Sequence, residues 1–121
     1  MNHPPLAELP VVIEPWSGRL CGSSELPATG QAIAREVDGR TIAVFNVAGT
    51  LYCVDDHCTH SRSSLSGDGR CEGTIVECAL HRARFCLQTG RPLAGPTRRP
   101  LRVYDIEIRG EDVLARERVR G

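Results

Sequence analysis

The chain has 121 residues and a formal charge of zero, which fits one domain with a modest core and argues against a nucleic-acid partner. Its basic residues, histidines aside, are all arginine. No apolar run approaches the ~20 residues needed to cross a bilayer, so no membrane association is expected. Six cysteines in a short chain raise the idea of a disulfide framework. The first residues, MNHPPLAELPVVIEPW, lack the charged and then apolar stretches of a secretory signal. A cytoplasmic protein with reduced thiols is therefore expected.

Residues 1–18 carry Pro4, Pro5, Pro10 and Pro15. That density of proline resists helix and sheet ladders, so an extended or disordered arm is predicted there, with His3 inert within it. The domain proper is placed at 19–121. Strand-like text begins at Arg19, and Ser23 to Pro27 reads as a turn. Residues 31–37 and 40–47 flank Asp38-Gly39, a strong signal for a two-residue hairpin. Ala48-Gly49 predicts a second turn, into a strand from Thr50 to Val54. Asp55-Asp56 end that strand, and the Ser- and Gly-rich stretch 61–69 reads as loop. Short strands are predicted at 74–77 and 84–87, followed by turns at Thr89-Gly90 and from Gly95 to Pro100. The last two strands fall at 103–108 and 113–117, around Gly110-Glu111-Asp112. Many short strands, turn signals between them and no convincing amphipathic helix predict an all-β fold.

The chemistry lies between His57 and Arg84. Cys58-Thr59-His60 is a C-x-H pair, and Cys78-Ala79-Leu80-His81 follows as C-x-x-H. Each half-site lets one turn present a thiolate and an imidazole to a single point. Two such turns close around a tetrahedral zinc, or hold a [2Fe–2S] cluster with thiolates on one iron and imidazoles on the other. The mixed pairs, with only one residue inside the first, favour the cluster, because structural zinc sites usually space like ligands by two residues or more. The candidate ligands are Cys58, His60, Cys78 and His81. Cys21, Cys53, Cys71 and Cys86 read as small buried apolar side chains, with Cys71 and Cys86 near enough to the motif for adventitious ligands or oxidation sites to be the alternative. His57 is expected to point away into solvent. Asp55, Asp56, Arg62, Arg82 and Arg84 are candidates for a docking rim, with an ordinary solvated face as the alternative. No nucleophilic triad, phosphate-cradling loop or dinucleotide fingerprint is present, so no catalysis is assigned to the chain.

This spacing, with Leu80-His81, Arg84-Phe85 and Thr89-Gly90 around it, resembles the Rieske motif. Over roughly Leu20 to Arg116 the chain is similar to Rieske-type ferredoxins, the small electron carriers of bacterial aromatic-ring-hydroxylating dioxygenases. The resemblance implies a Rieske fold, an antiparallel β-sandwich base with a small cluster-binding subdomain inserted at about 55–95. It also implies one [2Fe–2S] cluster per chain, with the outer nitrogens of His60 and His81 facing solvent as the electron exit. The implied partners are an NAD(P)H-dependent, flavin-dependent ferredoxin reductase and a terminal Rieske non-haem iron oxygenase, with the chain itself a monomer. The alternatives are the small Rieske-like subunit of assimilatory nitrite reductase and a zinc-binding structural module.

High-potential members of the family join the ligand loops by a disulfide, at positions that are Ser63 and Leu80 here. They also carry a serine hydroxyl where this chain has Ala83. Fewer hydrogen bonds to sulfur leave the reduced cluster less stabilised, so a potential near the low end of the Rieske range, about −150 mV, is expected. Members usually have proline at the position of Ala79 and glycine at that of Arg82. A left-handed backbone at the latter would strain the arginine by ~1 kcal/mol or more.

Overall fold

The computed structural model describes residues 15–59, 61–80 and 82–119. Six strands form one antiparallel sheet: β1 (Ser17–Gly22), β2 (Ala32–Val37), β3 (Arg40–Val47), β4 (Thr50–Asp55), β9 (Val103–Arg109) and β10 (Asp112–Glu117), in the order β1-β10-β9-β4-β3-β2. Four short strands form a second sheet: β5 (Arg70–Glu72), β6 (Ile75–Glu77), β7 (Arg84–Cys86) and β8 (Pro92–Ala94), in chain order. The expected all-β architecture is observed. A single turn of 3-10 helix, Ser23–Glu25, replaces the turn expected after β1.

The two hairpins that frame β3 follow from their turn residues. Asp38 and Gly39 both take positive φ (50° and 80°), the pattern of a type I′ turn whose twist matches the flanking strands. Ala48 and Gly49 do the same at 53° and 90°, and Asn46 Oδ1 accepts from the Gly49 N–H at 2.9 Å. These turns fix the register, with Ala43 opposite both Ala34 and Val54.

Alternate side chains of the central strands leave by opposite faces, and here both faces are covered. Ala43 and Phe45 of β3, Val54 of β4 and Val103 of β9 enter a core shared with Val76 and Phe85 of the second sheet and with Leu87 just after β7. Ile42, Val44, Cys53 and Tyr104 enter a separate core with Leu20, Cys21, Val113 and Ala115. This is why residues 42–45 form an unbroken apolar run and why β9 alternates poorly. The outer strands curl over the second core until β1 meets β2. A Cβ on Gly18 would lie 2.8 Å from Val37 Cγ1, so the two edges approach this closely because residue 18 has no side chain.

Strands β5 and β8 were not expected. They are the edges of the small sheet. Every residue of β5 is exposed, which removes any periodic signal, and β8 opens on Pro92, a residue tolerated in sheets only at edges and strand starts. The domain also begins earlier than position 19. Trp16 meets Tyr104 edge-on at 5.5 Å between ring centroids and lies under the Arg40 guanidinium at 4.7 Å. Its carbonyl accepts from the Glu117 N–H at 2.7 Å. Of the expected arm, residues 1–14, including His3, fall outside the described residues.

Candidate metal centre

Three loops form the relevant end of the molecule. The first leaves β4 at Asp56 and returns at Leu65. It is closed by bonds from Leu65 N–H to Asp56 O at 2.6 Å and from Cys58 N–H to Ser63 O at 3.1 Å. The second, residues 78–83, joins β6 to β7. Its ends are tied by the Cys78 N–H to Ala83 O bond at 2.7 Å, directly above the Glu77–Arg84 pair of the ladder. The third runs from Gly95 to Pro100.

Asp56 is the knot of the first loop. Only 2% of it is exposed. Its carboxylate accepts from Ser64 Oγ at 2.6 Å and from the Ser66 N–H at 2.8 Å. Thr59 ties the first loop to the third. Its hydroxyl donates to Arg99 O at 2.8 Å, and its Oγ1 lies 2.8 Å from Thr97 Oγ1. Since the one Thr59 proton is spent on Arg99 O, Thr97 is the donor between the two hydroxyls, while its oxygen also receives the Arg99 N–H at 3.1 Å. The third loop is pressed against the second at Gly95, whose φ is 100° and where a Cβ would lie 2.5 Å from Ala83 Cα. No other residue type fits that approach.

Cys58 and Cys78 are 3% and 1% exposed and sit in one continuous apolar cluster with Leu65, Val76, Ala83 and Phe85. Ser61 Oγ reaches Cys78 Sγ at 3.9 Å, so the first loop touches the second thiol directly. His60 and His81 lie outside the described residues. No disulfide joins the described cysteines. Two buried sulfurs, delivered by separate loops and each followed within three residues by a histidine in sequence, suit a metal centre with sulfur on its inner side.

The other cysteines divide. Cys21 and Cys53 are buried as expected. Burial pushes the Cys53 thiol well above its ordinary range, with Asp55 adding to it, and it raises the Cys21 thiol, with Glu25 adding to it. Cys71 contradicts the expectation of a buried side chain, because its strand is the exposed edge of the small sheet. Cys86 is half-buried. Burial raises its thiol, but hydrogen bonds from the Thr89 side chain and backbone and from the Gln88 backbone outweigh this and hold it below the usual value.

His57 is exposed, as expected. The expected docking rim is corrected in part. Asp55 is bound internally, accepting from Arg102 Nε at 2.8 Å and from the Tyr104 hydroxyl at 2.7 Å. Asp56 is buried, and Arg84 is paired with Glu77 at 3.0 Å. Arg62 and Arg82 remain exposed. Arg82 has φ 53°, the left-handed backbone considered above for a position where glycine is usual.

Ser61, Thr97 and Gly95 were not singled out as site residues, and Asp56 was considered only for the docking rim. Asp56 and Ser61 adjoin the motif and were within reach of sequence reasoning, since Asp followed by a Ser-rich loop is a pattern of local side-chain capping. Thr97 and Gly95 carry no such signal, because their role arises only when the third loop folds back.

Fold and site together define a protein built to hold a metal cluster between two loops at one end of a β-sandwich. The Rieske [2Fe-2S] domain matches residues 17–105, and the chain belongs to that family and carries a Rieske-type cluster; the zinc alternative is set aside. The biphenyl dioxygenase ferredoxin subunit of Pseudomonas sp. (strain KKS102) is 42% identical over 96 residues, spanning 79% of this chain and 87% of the relative. Among solved structures, the ferredoxin of carbazole 1,9a-dioxygenase from Nocardioides aromaticivorans IC177 superposes with a TM-score of 0.70 at 30% identity, over 82% of this chain and 95% of that one. A chain from the complex of reduced oxygenase and oxidized ferredoxin in carbazole 1,9a-dioxygenase gives 0.72 at 28% identity, over 86% and 97%.

Proposed function

We propose that the chain is the one-electron ferredoxin of an aromatic-ring-hydroxylating dioxygenase system, taking electrons from a flavin-dependent NAD(P)H reductase and passing them to a terminal oxygenase. The observation that carries this reading is the pair of buried thiols, Cys58 and Cys78, brought into one cluster by two different loops. The proposed ligands are Cys58 and Cys78 on one iron and His60 and His81 on the other. Residues 55–95 act as the cluster-binding subdomain and the rest of the domain, from Trp16 on, as its base. When bound, the cluster supplies a reversible one-electron couple in the Rieske range.

The chain's own residues do the rest. Cys58 and Cys78 keep sulfur away from water in an apolar setting. The Asp56 knot and the Thr59–Thr97 pair hold the first loop in place, so a change of charge is met with little rearrangement. The second loop turns its outer residues to solvent: Ala79 and Arg82 are exposed, and Leu80 is 50% exposed. Electrons then leave and enter at this end, through a small and transient interface of the kind used by redox partners. We read the protein as a monomeric cytoplasmic carrier with no catalytic step of its own. No helix among the described residues is long and apolar enough to cross a membrane.

Reconstitution tests this directly. Purified chain, a flavin reductase, NAD(P)H and a terminal oxygenase should form dihydrodiol from an aromatic substrate. Omission of the chain, or its His81→Ala variant, should stop product formation. Equal product without the chain would refute the role.

A further inference from the structure

The three loops leave four arginines at the exposed end. Arg62 lies in the first loop, Arg82 in the second, and Arg98 and Arg99 in the third, all exposed. The loops are physically joined, the first to the third through Thr59 and Thr97 at 2.8 Å and the third to the second through Gly95 and Ala83. Among the described residues none of the four enters an ion pair, whereas seven other arginines are each held by a carboxylate. The acids that would neutralise them are engaged elsewhere. Asp55 holds Arg102 and Tyr104, Asp56 holds Ser64 and Ser66, and Glu77 holds Arg84. Asp68 lies beyond the loop, in the turn leading to β5. A chain of zero formal charge thus presents an uncompensated positive end. Arg82 strengthens the case, since a long cation is kept at φ 53°, where glycine would sit without strain, and strain of this kind concentrates at working surfaces.

We propose that Arg62, Arg82, Arg98 and Arg99, around the exposed Leu80, form a cationic docking rim that recognises an acidic surface on the terminal oxygenase. The inference rests on the reading of the chain as that oxygenase's electron donor. Exposed charges act on a partner within a Debye length of about 8 Å at physiological salt. They steer encounter and orientation more than they add affinity. Leu80 supplies the apolar centre of the contact. Arginine suits the rim, because its planar fork pairs with carboxylates in two parallel bonds.

The test is stopped-flow oxidation of the reduced ferredoxin by the terminal oxygenase with which it turns over. Two small oxidants of opposite charge, ferricyanide and tris(phenanthroline)cobalt(III), serve as probes of the local field. The Arg62→Gln/Arg98→Gln/Arg99→Gln variant leaves the proposed ligands and Arg82 in place. It should slow the oxygenase and ferricyanide reactions by about tenfold at low ionic strength, speed the cobalt reaction, and match wild type in high salt. An unchanged or faster oxygenase reaction would overturn the proposal. Slowing confined to reduction by the flavin reductase would also overturn it, by giving the surface to the other partner. An intact visible spectrum in the variant separates the two claims, and because removing positive charge lowers the reduction potential and so adds driving force, a change of potential does not account for slowing. A protein lacking that spectrum in wild-type form would instead refute the carrier reading, before any rate is compared.

Discussion

Replacing Asp56 by alanine isolates the knot beneath the first ligand loop. The carboxylate is 2% exposed, so water does not enter to replace it. Its removal leaves the Ser66 N–H without an acceptor, while the Ser64 hydroxyl retains a poorer partner in Ser66 Oγ at 3.3 Å. One orphaned buried donor costs about 1–3 kcal/mol, and losing a hydrogen bond to a charged group costs about 1.5–3 kcal/mol. We expect a combined loss of about 3–4 kcal/mol, a large part of the stability of a domain this size. Asp56→Asn keeps an oxygen for Ser66 and turns its amide toward Ser64 Oγ, which accepts; its loss should be about 1–2 kcal/mol. Unfolding releases the cofactor, so the quantity to follow is a rate: the half-life of visible absorbance at a fixed raised temperature. If the whole loss falls on unfolding, the alanine variant decays roughly one hundred to several hundred times faster and the asparagine variant about tenfold faster. An alanine variant within twofold of wild type, or one longer-lived than the asparagine variant, would refute the reasoning.

Further outcomes concern the second loop, the cluster potential and the free cysteines. Arg82→Gly relieves the left-handed backbone at φ 53° and should stabilise the protein by about 1 kcal/mol, read as a rise in the temperature of bleaching; a fall would mean that the side chain has a stabilising contact. Ser61→Ala removes the hydroxyl that lies 3.9 Å from Cys78 Sγ and should lower the midpoint potential, because hydrogen bonds to cluster sulfur favour the reduced form; wild type should titrate near the low end of the Rieske range, at about −150 mV, and a value above zero would contradict this. Brief alkylation of the native protein at neutral pH should label Cys71, which is exposed, and Cys86, whose thiol is held below its usual pKa, before the buried Cys21 and Cys53; peptide mapping that finds Cys53 modified first would refute the burial argument.

Much of the fold was legible because its turns are written in short-range chemistry. Asp38-Gly39 and Ala48-Gly49 specify hairpins by backbone preference alone, and the strands of β2, β3 and β4 fall within a residue of their expected limits at most ends. What stayed hidden depends on long-range contact. The exposed β5 and the proline-bearing β8 exist as strands only because β6 and β7 offer them edges. At the candidate site, the thiols announced themselves by spacing, whereas Thr97 and Gly95 matter only through loops that meet in space. Asp55 and Asp56 read alike in sequence as charges near the motif, yet both are consumed inside the fold. The arginines of the third loop, which carried no motif, are left facing solvent alongside Arg62 and Arg82.

The proposed centre is two sulfurs and two imidazoles sharing a pair of irons. Its most direct test is pulsed electron-nuclear spectroscopy on the dithionite-reduced protein grown with 15N-histidine, alongside iron and sulfide analysis. The expected result is a [2Fe–2S] stoichiometry with two inequivalent histidine nitrogens coupled to the unpaired spin, and loss of one coupling or of the whole signal in His60→Ala or His81→Ala. A reduced cluster without histidine coupling, or couplings that persist in both variants, would contradict it.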